Sequence, residues 1–415
     1  MHHTMSNTRE KDPDTSFLKY ADFHINLLRK SGFYSMKGIS NKINKEPTIW
    51  EVLLVLTIST CGFFIIILEF RSVAVSLGSD TGFVIAVLSG TLTATLSMSK
   101  GLTILTSHRE VRELLLRLSG FWEKSIERPE NVDVMVQMAN RASYLSKCYA
   151  ATVVIMCSSY CMNPYVSVIT QFLFTKTANN SYNFTATTFP TVYPFDLSYF
   201  PKYVVWILFE QAVCLLMTLH WIACDTLFPM CATHLAIQFQ ILRRDLERTT
   251  EVDELREIVK KQIILFQSCD ILENIFSPII FLTIIMTSTI MCACIFQFEK
   301  TLSCGVYLEI IKYVTHMMSL FVEILIYCGF SNVLSDQTEL LYHAAYNSEW
   351  TDRSKKYKSI IYFLILRSQK PFQCTAYHFF PVGLVQITTI LTTAVSYFTL
   401  LKTVTSESDD KVICS

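Results

Sequence analysis

The sequence predicts an all-α membrane protein with seven transmembrane helices, its N-terminus cytosolic and its C-terminus extracellular. Three observations carry this prediction: seven apolar stretches long enough to cross a bilayer, basic residues gathered in alternate loops, and two glycosylation sequons in a loop of the other set. Mean hydropathy is +0.36 and only 17% of residues are charged, which suits a polytopic membrane protein. The net charge is zero, so its distribution carries the information.

The spans run Trp50–Glu69, Thr81–Leu105, Tyr149–Phe174, Tyr203–Leu227, Ile275–Phe298, Gly305–Phe330 and Ala376–Lys402. Each holds about 20 residues or more, enough for a hydrocarbon core of about 30 Å. Sidedness follows from the loops. Lys and Arg crowd the amino tail and the second, fourth and sixth loops, as in Arg109, Arg112 and Arg117, Arg243, Arg244 and Arg248, and Lys355, Lys356 and Lys358. The first, third and fifth loops are nearly bare, so the tail and the even loops are expected in the cytosol. The sequons Asn179-Asn-Ser and Asn183-Phe-Thr both fall in the third loop, where glycosylation of Asn179 and Asn183 requires a lumenal side. Residues 1–49 then form a cytosolic N-terminal segment, 50–402 the seven-helix transmembrane domain, and 403–415 an extracellular tail.

No signal peptide is visible, so the first span is expected to serve as its own insertion signal. Phe17, Tyr20, Ala21, His24, Leu27 and Leu28 recur near helical spacing, which fits a helix lying on the inner membrane surface or an ordinary cytosolic helix. The loops at 106–148 and 228–274 are too long for turns. HREVRELLLRLSGFW and LREIVKKQIILF read as amphipathic helices that prolong the spans into the cytosol.

The chemistry of an enzyme is missing. There is no HExxH, P-loop or GxSxG, and nothing calls for a cofactor or a nucleic acid. The 14 cysteines contain no CxxC pair. Cys148, Cys157, Cys161, Cys214, Cys224, Cys292, Cys294 and Cys328 lie in or beside spans and read as small apolar residues. A bridge from Cys304 to Cys414 or to Cys294 stays open. His220 and Cys224, one turn apart, read as helix packing, so no metal site is expected. The span-3 terminus lacks the Asp/Glu-Arg-Tyr of rhodopsin-like receptors, and Asn163-Pro164-Tyr165 reads as a proline kink.

Polar residues inside spans carry the remaining signal. Glu210, in WILFEQAV, costs about 2.5–3.5 kcal/mol to insert. It is either a polar anchor in a ligand cavity or a neutral acid bonded to a neighbouring helix, and Glu323 presents the same choice. In the last span Gln386, Thr389, Thr393, Ser396, Leu400 and Thr403 recur at steps of three and four, which places them on one helix face. Such a stripe lines a pore with Leu400 as a greasy constriction, or its hydroxyls bond their own helix. Glu407, Asp409 and Asp410 follow, at a pore mouth or in a solvated tail.

The last third of the chain carries a resemblance. AAYNSEW (Ala344–Trp350), LRSQKPFQCTAYHFFPVGL (Leu366–Leu384) and SYFTLL (Ser396–Leu401) resemble, in order and spacing, the carboxyl-terminal signature of insect odorant receptors. LREIVKKQIILFQSCDILENIFS (Leu255–Ser277) is similar to that family's helix before span 5, with Lys261 where the family often has His. The specific motifs cover about the last 160 residues; length and topology match throughout.

The resemblance implies a subunit of a ligand-gated, non-selective cation channel in the plasma membrane of a sensory-neuron dendrite. Its partner would be the odorant receptor co-receptor in a heterotetramer, and its ligand a small volatile odorant. The outer half of span 7 would line the pore, with gate positions at Leu400 and Val404 and with Thr393, Ser396 and Thr403 along the wall. The co-receptor usually carries Gln where this chain has Thr403, and a longer second cytosolic loop, so the resemblance is to a tuned subunit. Extensions at 228–274 and 331–375 would make subunit contacts. The odorant pocket would take Phe83, Val87 and Gly90 from span 2 and Cys157, Tyr160, Cys161 and Pro164 from span 3. Span 4 would add Trp206, Phe209, Glu210 and Val213, and span 6 Tyr307, Ile310, Ile311 and Val314. Such an apolar, aromatic lining suits an ester or terpenoid. The alternatives are a gustatory receptor channel, although Ser396-Tyr397 is followed by Leu401-Lys402 rather than Gln-Phe, and, further off, a G-protein-coupled receptor or a transporter, the latter disfavoured by the lack of internal repeats.

Overall fold

A computed structural model describes residues 16–32, 49–77, 81–174, 184, 186–305 and 307–406, apart from the side chains of 51, 52, 307, 308 and 404–406. The chain is helical almost throughout: α1 (Phe17–Lys30), α2 (Ile49–Ser76), α3 (Thr81–Thr106), α4 (His108–Ile126), α5 (Pro129–Phe174), α6 (Phe200–Arg248), α7 (Val252–Cys304), α8 (Tyr307–Asn347), α9 (Lys355–Ser368) and α10 (Leu384–Ser406). Seven of these, α2, α3, α5, α6, α7, α8 and α10, are long and apolar enough to cross a membrane. The protein is a seven-span, all-α, multi-pass membrane protein.

Four helices overrun the bilayer. α5, α6, α7 and α8 hold 46, 49, 53 and 41 residues. At 1.5 Å per residue they reach about 60–80 Å, two or more times the hydrocarbon thickness. Residues 228–274 fall in the far part of α6 and the near part of α7, as continuous helix on either side of a short break at Thr249–Glu251.

Helix ends follow local chemistry. Ser354 caps α9 by accepting the backbone N–H of Tyr357. Gly305 ends α7 at φ +70°, a left-handed position that glycine adopts without strain. Pro164, Pro229 and Pro278 sit inside α5, α6 and α7.

α6 is the axis of the bundle. From Trp221 to Phe239 its residues are buried on every face, as expected of an apolar helix surrounded by others. α1, α3, α5, α7 and α8 all pack against it. α1 buries Phe17, Tyr20, Ala21, His24 and Leu28, the apolar stripe read from sequence. Phe17 and Tyr20 meet Trp122 of α4, and Phe17 also meets His234 of α6.

The seventh span starts later than expected. Residues 376–383 are not helical: β1 (Thr375–Ala376) pairs antiparallel with β2 (Phe380–Pro381), and α10 starts at Leu384. The turn places Tyr377 and His378 at φ +50° and +61°, and Phe379 N–H donates to the Ala376 carbonyl, as in the primed turns that match strand twist. Non-glycine residues at positive φ need outside support. Here α7 supplies it: Glu273 accepts the Thr375 N–H and hydroxyl, and Ser277 accepts the Tyr377 N–H at 2.8 Å. Ser331 of α8 donates to the Val382 carbonyl.

Candidate functional site

Residues 186–199, before α6, fold back over one end of the bundle, the outer end in the expected orientation. Val192 N–H donates to Ser72 of α2, and Arg71 donates to the Val192 carbonyl, both at 2.8 Å. Glu210, fully buried in α6, accepts from the Thr188 N–H and the Trp206 indole at 2.8 Å and from the Tyr193 hydroxyl. Its carboxyl is therefore spent on clasping this segment. Outside the membrane-spanning helices, Tyr193 has its hydroxyl pKa pushed up by burial and by the nearby Glu210.

Beneath the clasp lies a cavity with about 70 Å³ of space for the centre of a water-sized sphere. One water needs about 10–15 Å³ by this measure, so the cavity has room for a small ring and a short substituent. α3 contributes Gly90, Thr93, Ala94 and Ser97, and α5 contributes Met156, Cys157 and Tyr160. α6 adds Cys214, Met217, Thr218 and Trp221; His316 comes from α8, while Phe189 and Pro190 roof it. Most polar groups here already have partners. Ser97 donates to the Met217 carbonyl and Thr218 to the Cys214 carbonyl.

His316 is the polar centre of the wall. The Thr93 hydroxyl donates to the Ser89 carbonyl at 2.7 Å and lies 3.3 Å from His316 Nε2. Its proton being spent, Thr93 accepts from Nε2–H. Nδ1 is then the acceptor for the Tyr160 hydroxyl at 2.8 Å, which assigns the tautomer from the network.

Directly below the cavity lies a buried charge cluster. Lys100 of α3 pairs with Asp225 of α6 at 2.9 Å and with Glu323 of α8. The hydroxyls of Tyr149 (α5) and Tyr327 (α8) donate to Asp225 at 2.5 and 2.6 Å. Lys100 also lies 4.9 Å from the Trp221 ring centroid, and Trp221 lines the cavity. Four helices thus meet on one ion cluster that touches the cavity through one indole.

Of the expected pocket residues, Gly90, Cys157 and Tyr160 line the cavity. Cys161 stands one turn beyond Cys157, and Pro164 a turn further, buried. Trp206 packs with Tyr193 and Phe195 under the clasp, and Phe209 packs against Trp206. Val87 and Val213 are buried, and Phe83 is half-buried nearer the start of α3. On α8 the wall is a different face: Ile311 and Val314 are 53% and 41% exposed while Tyr313 and His316 are buried. Ile310 is half-buried, and the side chain of Tyr307 lies outside the described residues. So do Asn179, Asn183 and the acidic tail. Glu323 belongs to the charge cluster and not to the cavity wall. The sequence reading passed over His316, Lys100 and Asp225; an isolated His and opposite charges in three spans were the available signal.

On α10, Leu400 is 64% exposed. Ser396 and Thr403 are exposed and Thr393 is half-buried; the side chain of Val404 lies outside the described residues. The hydroxyls of Thr393, Ser396 and Thr403 donate to the carbonyls of Thr389, Thr392 and Thr399. Their protons are thus satisfied within the helix. Cys304 is disulfide-bonded and Cys294 keeps a free thiol; Cys414 lies outside the described residues.

The fold and site define a seven-span helical membrane protein with a small roofed cavity above a buried ion cluster. The chain belongs to the 7tm odorant receptor family, whose model matches residues 80–395. It is similar to odorant receptor 13a of Drosophila melanogaster, 27% identical over 248 residues, which cover 53% of this chain and 58% of that one. The match thus spans little more than half the length of that relative. Odorant receptor 82a of the same fly is 24% identical over 337 residues, covering 79% of this chain and 86% of its own. The fold is that of the insect olfactory receptor OR5 from Machilis hrabei in complex with eugenol: the TM-score is 0.78 at 17% identity, covering 93% of this chain and 98% of that one.

Proposed function

We propose that this chain is the odorant-binding subunit of a ligand-gated, non-selective cation channel in the plasma membrane, acting with the odorant receptor co-receptor as a heterotetramer. The observation that carries the reading is the cavity: walls from α3, α5, α6 and α8, almost wholly apolar, with one polar centre at His316. A ligand there is a small volatile with an acceptor or donor for the His316–Tyr160 pair, such as an ester, a terpenoid or a phenol of the kind that the Machilis hrabei receptor binds. A molecule of about 12 heavy atoms at about −0.5 kcal/mol each gains about −6 kcal/mol, which corresponds to tens of micromolar. Raising an open population from about 1% to half needs about 100-fold preference for the open state, or 2.7 kcal/mol.

In this reading the ligand presses on Trp221 and so on the Lys100 cluster, which joins the cavity to α6 and α8. The outer part of α10 lines the pore, and Leu400 moves off its axis on opening. Asn179 and Asn183 carry glycans outside, and the cytosolic segments at 228–274 and 331–375, the latter holding the end of α8 and α9, make the subunit contacts.

The test is whole-cell recording with and without a co-receptor against a panel of volatiles. Odorant-evoked cation current should need both subunits. Ala94→Phe, which fills the cavity, should abolish the response while surface expression persists. Current evoked equally well from the filled variant would overturn the assignment of the cavity.

A further inference from the structure

Three thiols converge on one side of the cavity. Cys157 and Cys161 lie one turn apart on α5. Cys214 approaches from α6, with its sulfur 3.6 Å from that of Cys157. All three sulfur atoms lie within 4.8 Å of one another, and all three are free thiols. Gln211 fixes the register between the two helices by donating to the Cys161 carbonyl at 3.0 Å. Cys157 and Cys214 also line the cavity, beside the thioethers of Met156 and Met217.

We propose that Cys157, Cys161 and Cys214 form a binding site for a soft monovalent metal ion, Cu(I), at the cavity wall. Metal–thiolate bonds are about 2.3 Å long, so three sulfurs around a trigonal ion stand about 4.0 Å apart by the geometry of an equilateral triangle. The separations here bracket that value, and closing on an ion needs shifts of less than about 1 Å. Thiolates and thioethers select Cu(I) over hard cations, and the three ligands include no carboxylate. The sulfurs bind as thiolates, so their protons leave as the ion enters. Zn(II) would require a fourth ligand to complete its tetrahedral shell. The cavity gives the ion and the departing protons a route.

The experiment uses the purified full-length chain in detergent, reduced without a chelating reductant and kept anaerobic. Cu(I) is titrated in competition with a chromophoric Cu(I) chelator, and X-ray absorption reads the ligand shell. The expected result is one Cu(I) held per chain in an all-sulfur shell at about 2.3 Å. Cys214→Ser and Cys161→Ser each weaken retention at least tenfold, while Cys292→Ser, at another buried free cysteine, leaves it unchanged. The absorption spectrum of the wild-type chain decides the matter should a variant fail to elute as a single species. No copper retained by the wild-type chain, a nitrogen-containing shell, or equal retention in a monodisperse Cys214→Ser protein would overturn the proposal. The readout involves no odorant and no current, so its failure leaves the proposed function standing, and the reverse holds too.

Discussion

Replacing Lys100 by methionine keeps the unbranched shape of the side chain, shorter by its terminal atom, and removes its charge. In the native fold the ammonium lies between Asp225, 2.9 Å away, and Glu323, with all three side chains at most 1% exposed. Without it, two carboxyls face each other with no cation between them. Removing one partner of a buried pair costs about 3–5 kcal/mol, because the remaining charge stays desolvated. At 1.4 kcal/mol per factor of ten, that is a rise of about 10² to 4 × 10³ in the unfolded fraction. The losses should be unequal. Asp225→Asn disturbs two tyrosine hydroxyls as well as the lysine and belongs with Lys100→Met. Glu323→Gln keeps one acceptor oxygen for Lys100 and replaces an oxygen that has no hydrogen-bond partner, so it should cost less. The Lys100→Met/Glu323→Gln double variant should recover about 0.5–3 kcal/mol relative to additivity. The assay is thermal and denaturant unfolding of the detergent-solubilised chain, followed by the monodisperse fraction on size exclusion. A loss below about 1 kcal/mol for Lys100→Met, or a larger loss for Glu323→Gln than for Lys100→Met, would refute the reasoning.

On the proposed function, Leu400→Ala should raise resting current in cells that express this chain with a co-receptor; unchanged basal conductance would remove Leu400 from the proposed gate. Glu210→Ala strands the Thr188 N–H, the Trp206 indole and the Tyr193 hydroxyl at about 1–3 kcal/mol for each donor left buried. Faster hydrogen exchange at residues 186–193 should report this, and unchanged protection would contradict the clasp. His24, in α1, has its pKa lowered from 6.5 to about 3 by burial, with His234 and Lys147 adding to the effect. The unfolded chain takes up that proton first as pH falls. The folded state should therefore lose about 1.4 kcal/mol per pH unit between pH 6.5 and about 3, and His24→Phe should flatten this slope.

The spans were legible because hydropathy and loop charge act on the chain one segment at a time. The prolongation of α7 into amphipathic sequence was legible in LREIVKKQIILF, whereas HREVRELLLRLSGFW does not prolong a span but forms a helix of its own, α4, after a break at Ser107. The start of the seventh helix was misplaced because Ala376–Val382 is apolar enough to pass for a span. What makes it a hairpin is Glu273 and Ser277, about 100 residues earlier in sequence. Gly90, Cys157 and Tyr160, which line the cavity, came from the resemblance, which places a pocket between spans 2, 3, 4 and 6, whereas His316 depends on the rotation of α8, which neighbouring side chains set. Glu210 was the acid that stood out, and the fold spends it on the clasp. Lys100, Asp225 and Glu323 each look costly alone and become intelligible as a trio.

The overrun of α7 has a mechanical consequence. A rod of about 80 Å held by a membrane about 30 Å thick protrudes by about 50 Å. A tilt of about 2° around the bilayer then sweeps the far tip by nearly 2 Å, comparable with the helix shifts of about 1–2 Å that accompany switching at subunit interfaces. A sub-ångström adjustment inside the membrane would therefore arrive, amplified, at the distant tip.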